Sequence, residues 1–319
     1  MKTVVFPESA EAKSIATDFQ YDQWLVDRFL HYVPNIDSFV RKMEFPPAKY
    51  IRANTLKSPT IEVNAALAKR GFTLEQTKLS EMLRVVNEPI NVGATIEYMQ
   101  GLYYIQDLSS AMAVEALEPK PNEHILDLAA APGGKTSHIA QRMENTGAII
   151  ALEPNSRRAR SMSFNIQRMG VLNTCICRLE GTDALFQDAR FDRVLLDAPC
   201  SCEGIIAKDA RRKTSHTPAD IEYCSNRQEQ LITAACKAVR HGGTLIYSTC
   251  SFAPEENEMV VDSLIQHNPT LTIEPLEFGN PGLTKFGDFQ FDNSLRNTRR
   301  FYPHIHDTTG FFIAKLRVK

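Results

Sequence analysis

Apolar and polar residues alternate differently in the two parts of the chain. The first hundred residues mix the patterns. An amphipathic stretch runs from about Tyr21 to Met43, Tyr50-Ile51-Arg52-Ala53-Asn54 reads as a strand, Ile61 to Arg70 reads as a helix, and Gly71-Phe72 breaks it. From His124 onward the apolar residues gather into short runs without alternation: Ile125-Leu126-Asp127-Leu128, Ala148-Ile149-Ile150-Ala151-Leu152, Arg193-Val194-Leu195-Leu196-Asp197 and Gly243-Thr244-Leu245-Ile246-Tyr247. Helix-like segments starting near Lys135, Ser156, Asn226 and Glu255 separate them. Strands covered by helices on both faces have this pattern. It predicts an α/β protein with a doubly wound parallel sheet over residues 101–319, preceded by a smaller α+β domain over residues 1–100.

Composition narrows the class. The 319 residues are 43% hydrophobic and 23% charged, an ordinary folded balance that excludes disorder and collagen. Seven cysteines without regular spacing, and no apolar leader in Met1 to Gln20, predict reduced thiols and a cytoplasmic protein. No stretch approaches the 18 or so apolar residues of a membrane span, so no membrane partner is expected. With 36 Lys and Arg against 38 Asp and Glu, a polyanion would have to be held by local basic patches.

The candidate chemistry lies where the apolar runs end. The first run leads into Ala129-Ala130-Ala131-Pro132-Gly133-Gly134-Lys135-Thr136. In an open parallel sheet, ligands bind beyond the carboxyl ends of the strands, and small residues let backbone amides approach them. A phosphate loop needs a glycine where Ala129 stands, so that reading fails. Glu153, directly after the second run, is placed to accept from ribose hydroxyls, and Asp183 is a candidate for the base end of the same cofactor. Each taken alone also fits a helix-end or turn acid.

Two further runs end in thiols: Asp197-Ala198-Pro199-Cys200-Ser201-Cys202 and Thr249-Cys250-Ser251. Cys175, Cys177, Cys224 and Cys236 read as small buried apolar residues, and Cys202 is undecided. The one-residue spacer of Cys200-x-Cys202 is too tight for a usual zinc pair, so no metal is expected. Thiols beside an adenosine-type cofactor suit covalent catalysis on a pyrimidine. A thiolate added to carbon 6 turns carbon 5 into a nucleophile for an electrophilic methyl group. The thiol then leaves once the carbon 5 proton is removed. Asp197 could hydrogen-bond ring nitrogen 3 and the exocyclic amine of cytosine, although an N-cap or turn role fits it as well.

Asp127 to Thr136, Asp197 to Ser201 and Tyr247 to Glu258 resemble the RNA cytosine-5 methyltransferases of the Nol-Nop-Sun superfamily. Arg52 to Lys57, Gln106 to Ser110 and Thr309 to Ala314 extend the likeness from about Lys49 to the end. The resemblance implies a Rossmann-like class I methyltransferase fold and methyl transfer from S-adenosylmethionine to RNA. It assigns Cys250 as the nucleophile and Cys200 to product release. The loop of Ala129, Ala130, Ala131, Pro132, Gly133, Gly134 and Lys135, with Glu153, Arg158, Asp183 and Asp197, would hold the cofactor. Lys135 and Asp197 would face the target cytosine. It also implies an RRM-like recognition unit near residues 50–95, though no aromatic RNP signature is visible.

Lys208 to Lys213, Arg157-Arg158-x-Arg160 and Arg296-x-x-Arg299-Arg300-Phe301-Tyr302 are the basic patches for looped or single-stranded RNA. A monomer acting on transfer RNA is the expectation. The same reaction on ribosomal RNA is the alternative. A DNA cytosine-5 methyltransferase would use Cys200 as nucleophile and leave Thr249-Cys250 unexplained. A non-catalytic RNA-binding assembly factor would have no need of both thiols and the loop.

Overall fold

The computed structural model describes residues 2–182 and 191–319, so Asp183 lies outside the described residues. By compactness the chain forms two units, Ala48–Asp197 with Lys237–Leu245, and Met1–Pro47 with Ala198–Cys236 and Ile246–Lys319. Residues 48–100 therefore share a unit with the strands that follow them.

The first of these units opens with β1 (Lys49–Ala53), a helix Thr60–Ala68, β2 (Thr73–Gln76), β3 (Met82–Asn87), a one-turn helix Ile96–Met99 and β4 (Tyr103–Ile105). They form a sheet in the order β2-β3-β1-β4, antiparallel throughout. This βαββαβ succession is the split βαβ topology shared by ferredoxin-like and RRM domains. Alternation in β1 gives the sheet two covered faces. Ile51 and Ala53 join Val63, Leu67, Leu83 and Tyr103, while Tyr50 packs with Met82 and with Ala111 of the helix Leu108–Leu117.

The chain then alternates strand and helix: β5 (His124–Asp127), helix Gly134–Arg142, β6 (Ala148–Leu152), helix Ser156–Met169, β7 (Thr174–Cys177), β8 (Phe191–Asp197) and later β9 (Val239–Thr249). The strand order is β9-β8-β5-β6-β7, and the β8–β5, β5–β6 and β6–β7 pairs are parallel. Parallel neighbours joined through helices are the Rossmann-like arrangement the unalternated runs predict. Ile125, Leu126, Val194, Leu195 and Leu196 are buried as such strands require. The helix Ser156–Met169 starts because Asn155 accepts from the amides of Arg157 and Arg158.

In the other unit, Tyr21 to Met43 is two helices, Gln23–Phe29 and Ile36–Met43, rather than one. Pro34 and the left-handed Asn35 separate them. The helix expected near Asn226 begins earlier, at Pro218, and runs to Ala238. Its start is a reciprocal cap: Thr217 N donates to Asp220, and Asp220 N donates to Thr217 Oγ1. The helix expected near Glu255 is Glu258–His267. Beyond it lie β10 (Leu271–Glu274), β11 (Asn280–Pro281), the small hairpin β12 (Lys285–Phe286) and β13 (Phe289–Gln290), β14 (Arg299–Phe301) and β15 (Phe311–Val318). The order β11-β14-β15-β9 continues the sheet within this unit, with β10 on β15. Among the described residues no helix is long and apolar enough to cross a membrane.

Candidate active site

The cofactor loop is built by the carboxyl ends of β5 and β6. Asp127, last in β5, is buried and accepts from Thr136 Oγ1 at 2.7 Å. Burial, with Asp197 nearby, pushes its carboxyl up to about 7. Gly133 sits at φ +95°, where a side chain would be strained, and it opens the helix Gly134–Arg142. Beyond β6, Glu153 is buried rather than on the surface. One oxygen accepts from Asn155 N at 2.8 Å, and the other lies 3.2 Å from Arg158. Arg158 in turn donates to the carbonyl of Ala131 at 3.0 Å, which ties the acid to the loop. Two buried carboxylates beyond neighbouring strands, with a glycine-opened turn, suit a ligand that carries an amino group and ribose hydroxyls. These residues therefore fit S-adenosylmethionine.

Lys135 Nζ meets Asp197 at 2.6 Å, so the loop lysine and the last residue of β8 form one ion pair. Arg52, wholly buried, supports the loop from the side. It donates to Gly134 O and Ser137 Oγ, each at 2.8 Å, and contacts Gln106. Asn54 spans the carbonyls of Gly101 and Met169 at 2.8 and 2.7 Å. The resemblance motifs around residues 52 and 106 are thus braces under the site.

The thiols meet beyond the ends of β8 and β9. Ala198 N donates to Ser248 O at 2.8 Å, which brings the two outgoing loops together. Cys200 and Cys250 Sγ are 3.1 Å apart, and Cys202 Sγ is 3.8 Å from Cys200. Cys202 and Cys250 on either side, together with burial, push the Cys200 thiol well above its ordinary range. Cys202 is held well below it by hydrogen bonding from Cys200 and Cys250, helped by Arg212 and His216.

The segment Glu255-Glu256-Asn257-Glu258 fixes this cluster, and every one of its residues is wholly buried. Glu255 forms a two-pronged pair with Arg28 at 2.9 and 2.7 Å. Glu258 pairs with the buried Arg300, whose Nη1 also reaches Phe252 O. Asn257 accepts from Thr249 Oγ1 and donates to Ser251 O. Glu256 accepts from Ser201 N at 2.9 Å, Ser251 Oγ at 2.7 Å, Gln228 Nε2 at 2.9 Å and Ser201 Oγ. Ser201 follows Cys200 and Ser251 follows Cys250, so one carboxylate holds both cysteine loops. Gly204 completes the joint: its amide donates to Cys250 O at 2.8 Å, and its carbonyl accepts from Gly310 N at 2.9 Å.

Several expectations change here. Cys175 is exposed, and Cys177, Cys224 and Cys236 are half-buried, so none is a core residue. In β7 alternate residues face the same way, which puts Cys175 and Cys177 Sγ 3.8 Å apart near the surface. Arg300, Phe301 and Tyr302 are core, because Arg300 neutralises a buried acid rather than facing solvent. Lys213 is likewise turned inward, onto Glu44 and the carbonyl of Phe19. Arg157, Arg158, Arg160, Lys208, Arg211 and Arg296 are exposed. Arg28 was missed because nothing near it in the sequence marks a partner 227 residues away.

A Rossmann-like sheet with a glycine-opened loop at β5 and paired thiols beyond β8 and β9 defines a methyltransferase fold. The family model described as 16S rRNA methyltransferase RsmB/F matches residues 114–317, and the chain belongs to this family. It is 42% identical over 96% of its length to a 28S rRNA (cytosine-C(5))-methyltransferase of Mus musculus, covering 40% of that protein. It is 38% identical over 92% of its length to a tRNA (cytosine(49)-C(5))-methyltransferase of Pyrococcus abyssi, covering 95% of that protein. The chain spans about two fifths to one half of the length of four such ribosomal RNA relatives. The crystal structure of NSun6 from Pyrococcus horikoshii with SFG superposes with a TM-score of 0.79 at 27% identity, covering 91% of this chain and 96% of that one. The resemblance to RNA cytosine-5 methyltransferases is thereby borne out.

Proposed function

We propose that the protein methylates carbon 5 of a cytosine in RNA through a covalent bond from Cys250 to carbon 6. The observation that carries the reading is the 3.1 Å approach of Cys200 and Cys250 from two separate strand ends. Covalent addition and later elimination need two groups at one carbon pair, and a lone buried cysteine has no such partner. Bound S-adenosylmethionine supplies the electrophilic methyl group. The loop from Ala129 to Lys135, with Asp127, Glu153, Arg158 and Asp197, would hold it, and the SFG seen with the NSun6 neighbour is an analogue of it. Asp183 is proposed for the base end from the resemblance alone.

Cys250 attacks carbon 6 as a thiolate. Asp197, steadied by the Lys135 ammonium, accepts from the exocyclic amine of cytosine and selects it over uracil. After transfer, the carbon 5 proton leaves and the Cys250–carbon 6 bond breaks, with Cys200 assisting that release. Residues 1–100 are proposed to serve RNA recognition and residues 101–319 catalysis. The sheet face on which an RRM stacks bases is covered here by Met82–Ala111 packing and the Arg52 contacts, so RNA would meet this segment at its edges and loops.

Transfer RNA is the favoured substrate, supported by the transfer RNA relative matched along nearly its whole length. Ribosomal RNA is the second reading, favoured by the higher identity to the 28S enzyme. Bisulfite sequencing of RNA from cells with and without the gene separates them. The mechanism is tested on denaturing gels with labelled RNA. Cys250→Ala should abolish both methylation and covalent complex, whereas Cys200→Ala should accumulate protein joined to RNA. Exchanged outcomes would make Cys200 the nucleophile, and trapping by neither variant would mean either that Cys202, 3.8 Å from Cys200, takes over release or that the adduct is wrong.

A further inference from the structure

The reaction proposed above assigns no role to the third thiol. Cys202 is nevertheless placed with the other two: the Sγ atoms of Cys200, Cys202 and Cys250 all lie within 4.8 Å of one another. Cys202 adopts φ +65°, a left-handed conformation that glycine takes freely and a cysteine does not, so the fold holds a side chain at a strained position. Its sulfur also lies 3.2 Å from the carbonyl of Cys200, which directs it back toward its neighbours.

We propose that the three sulfurs form a site for one soft divalent cation of the zinc class, which occupies the nucleophile and so blocks RNA. Zinc–thiolate bonds of about 2.3 Å in a tetrahedral centre put ligand sulfurs about 3.8 Å apart. The observed separations of 3.1 and 3.8 Å, with the third inside 4.8 Å, bracket that value. Soft thiolates select zinc over magnesium or calcium, and three protein sulfurs leave a fourth position for water. Binding replaces thiol protons by the ion, so it tightens as pH rises. The usual two-to-four-residue spacer hides the site in the sequence, because the third ligand lies just past the end of β9, 48 residues beyond Cys202. The Arg212 guanidinium lies within electrostatic reach of Cys202, and its charge limits affinity, which suits reversible occupation rather than a structural ion.

The test uses the whole protein, reduced with a phosphine so that no disulfide competes, and without RNA or S-adenosylmethionine. It therefore stands apart from the reaction read for the site. Cobalt(II) is titrated as the spectroscopic probe, then displaced with zinc. The expected result is a thiolate-to-cobalt charge-transfer band saturating at one ion per chain, with affinity lowered at least about tenfold in Cys202→Ser. Cys175→Ser should leave the band unchanged. No band in the reduced protein, or equal affinity in Cys202→Ser, overturns the proposal. Loss of the band in Cys175→Ser also overturns it, because the ion would then sit on the surface pair Cys175–Cys177.

Discussion

Replacing Glu256 tests whether one buried carboxylate sets the spacing of the two catalytic thiols. Its oxygens receive four donors, and the two on one side, Ser201 N and Gln228 Nε2, are N–H groups that cannot turn to accept. In Glu256→Ala, Ser201 N is left buried without an acceptor, at about 1–3 kcal/mol, whereas Gln228 Nε2 keeps the carbonyl of Pro199 at 2.8 Å. Ser201 and Ser251 hydroxyls are 3.2 Å apart and can bond one another, so they add little. Burial pushes the Glu256 carboxyl up, so its removal returns part of the loss. The net expectation is a loss of about 2 kcal/mol in urea unfolding. In Glu256→Gln the amide oxygen can keep the two N–H donors while its NH2 faces the serine hydroxyls, which turn to accept, and the loss is about 1 kcal/mol or less. Under mild oxidation the Cys200–Cys250 disulfide, followed by mass spectrometry, should form readily in wild type and Glu256→Gln and slowly in Glu256→Ala. Equal losses in the two variants, or unchanged disulfide formation in Glu256→Ala, would refute the clamp.

Burial pushes Glu203 up to about 8. The stability of its protonated form is complete below the ordinary carboxylate pKa of about 4.3 and is lost as pH rises through 8. Glu203→Gln should therefore be near neutral in urea unfolding at pH 4 and stabilising by about 1–4 kcal/mol at pH 8.5. A Cβ at Gly204 would lie 2.4 Å from Gly310 O and 2.7 Å from Cys250 O, both backbone atoms. Gly204→Ala should cost about 1–3 kcal/mol by thermal unfolding and displace Cys250, with methylation lost out of proportion to stability. Arg52→Lys keeps the charge but loses the fork that joins Gly134 O to Ser137, so calorimetry should show weaker S-adenosylmethionine binding with the protein still folded at 25 °C. Glu153→Ala should weaken the same binding by about 1.5–3 kcal/mol, and ATP preferred over S-adenosylmethionine would contradict the cofactor reading.

The sequence displays what depends on neighbours along the chain and conceals what depends on neighbours across it. The parallel strands were legible because burial on both faces leaves runs such as Ala148 to Leu152 without polar alternation. The loops beyond them follow from the rule that ligands bind at the carboxyl ends of strands. The early start of the helix at Pro218 was hidden because Asp220, Glu222 and Ser225 alternate with its first apolar residues instead of leaving a helical stripe, and the Thr217–Asp220 cap is what marks it. Arg300 and Lys213 show why charge patches mislead. A basic run is solvated only if no buried acid claims one of its members, and Glu258 and Glu44 do so from distant segments.

The same reasoning explains why four consecutive residues, Glu255 to Glu258, carry so much of the site. Each side chain leaves a single turn in a different direction, toward Arg28, the two serines, Thr249 and Arg300. Three buried acids in one turn would repel one another, and two are tolerated because an arginine faces each of them. Glu256 has no such cation, only neutral donors, and its carboxyl is accordingly pushed up. Of the three it therefore contributes least as a charge, and its effect lies in geometry: it is the point at which the Cys200 and Cys250 loops are tied to one atom pair.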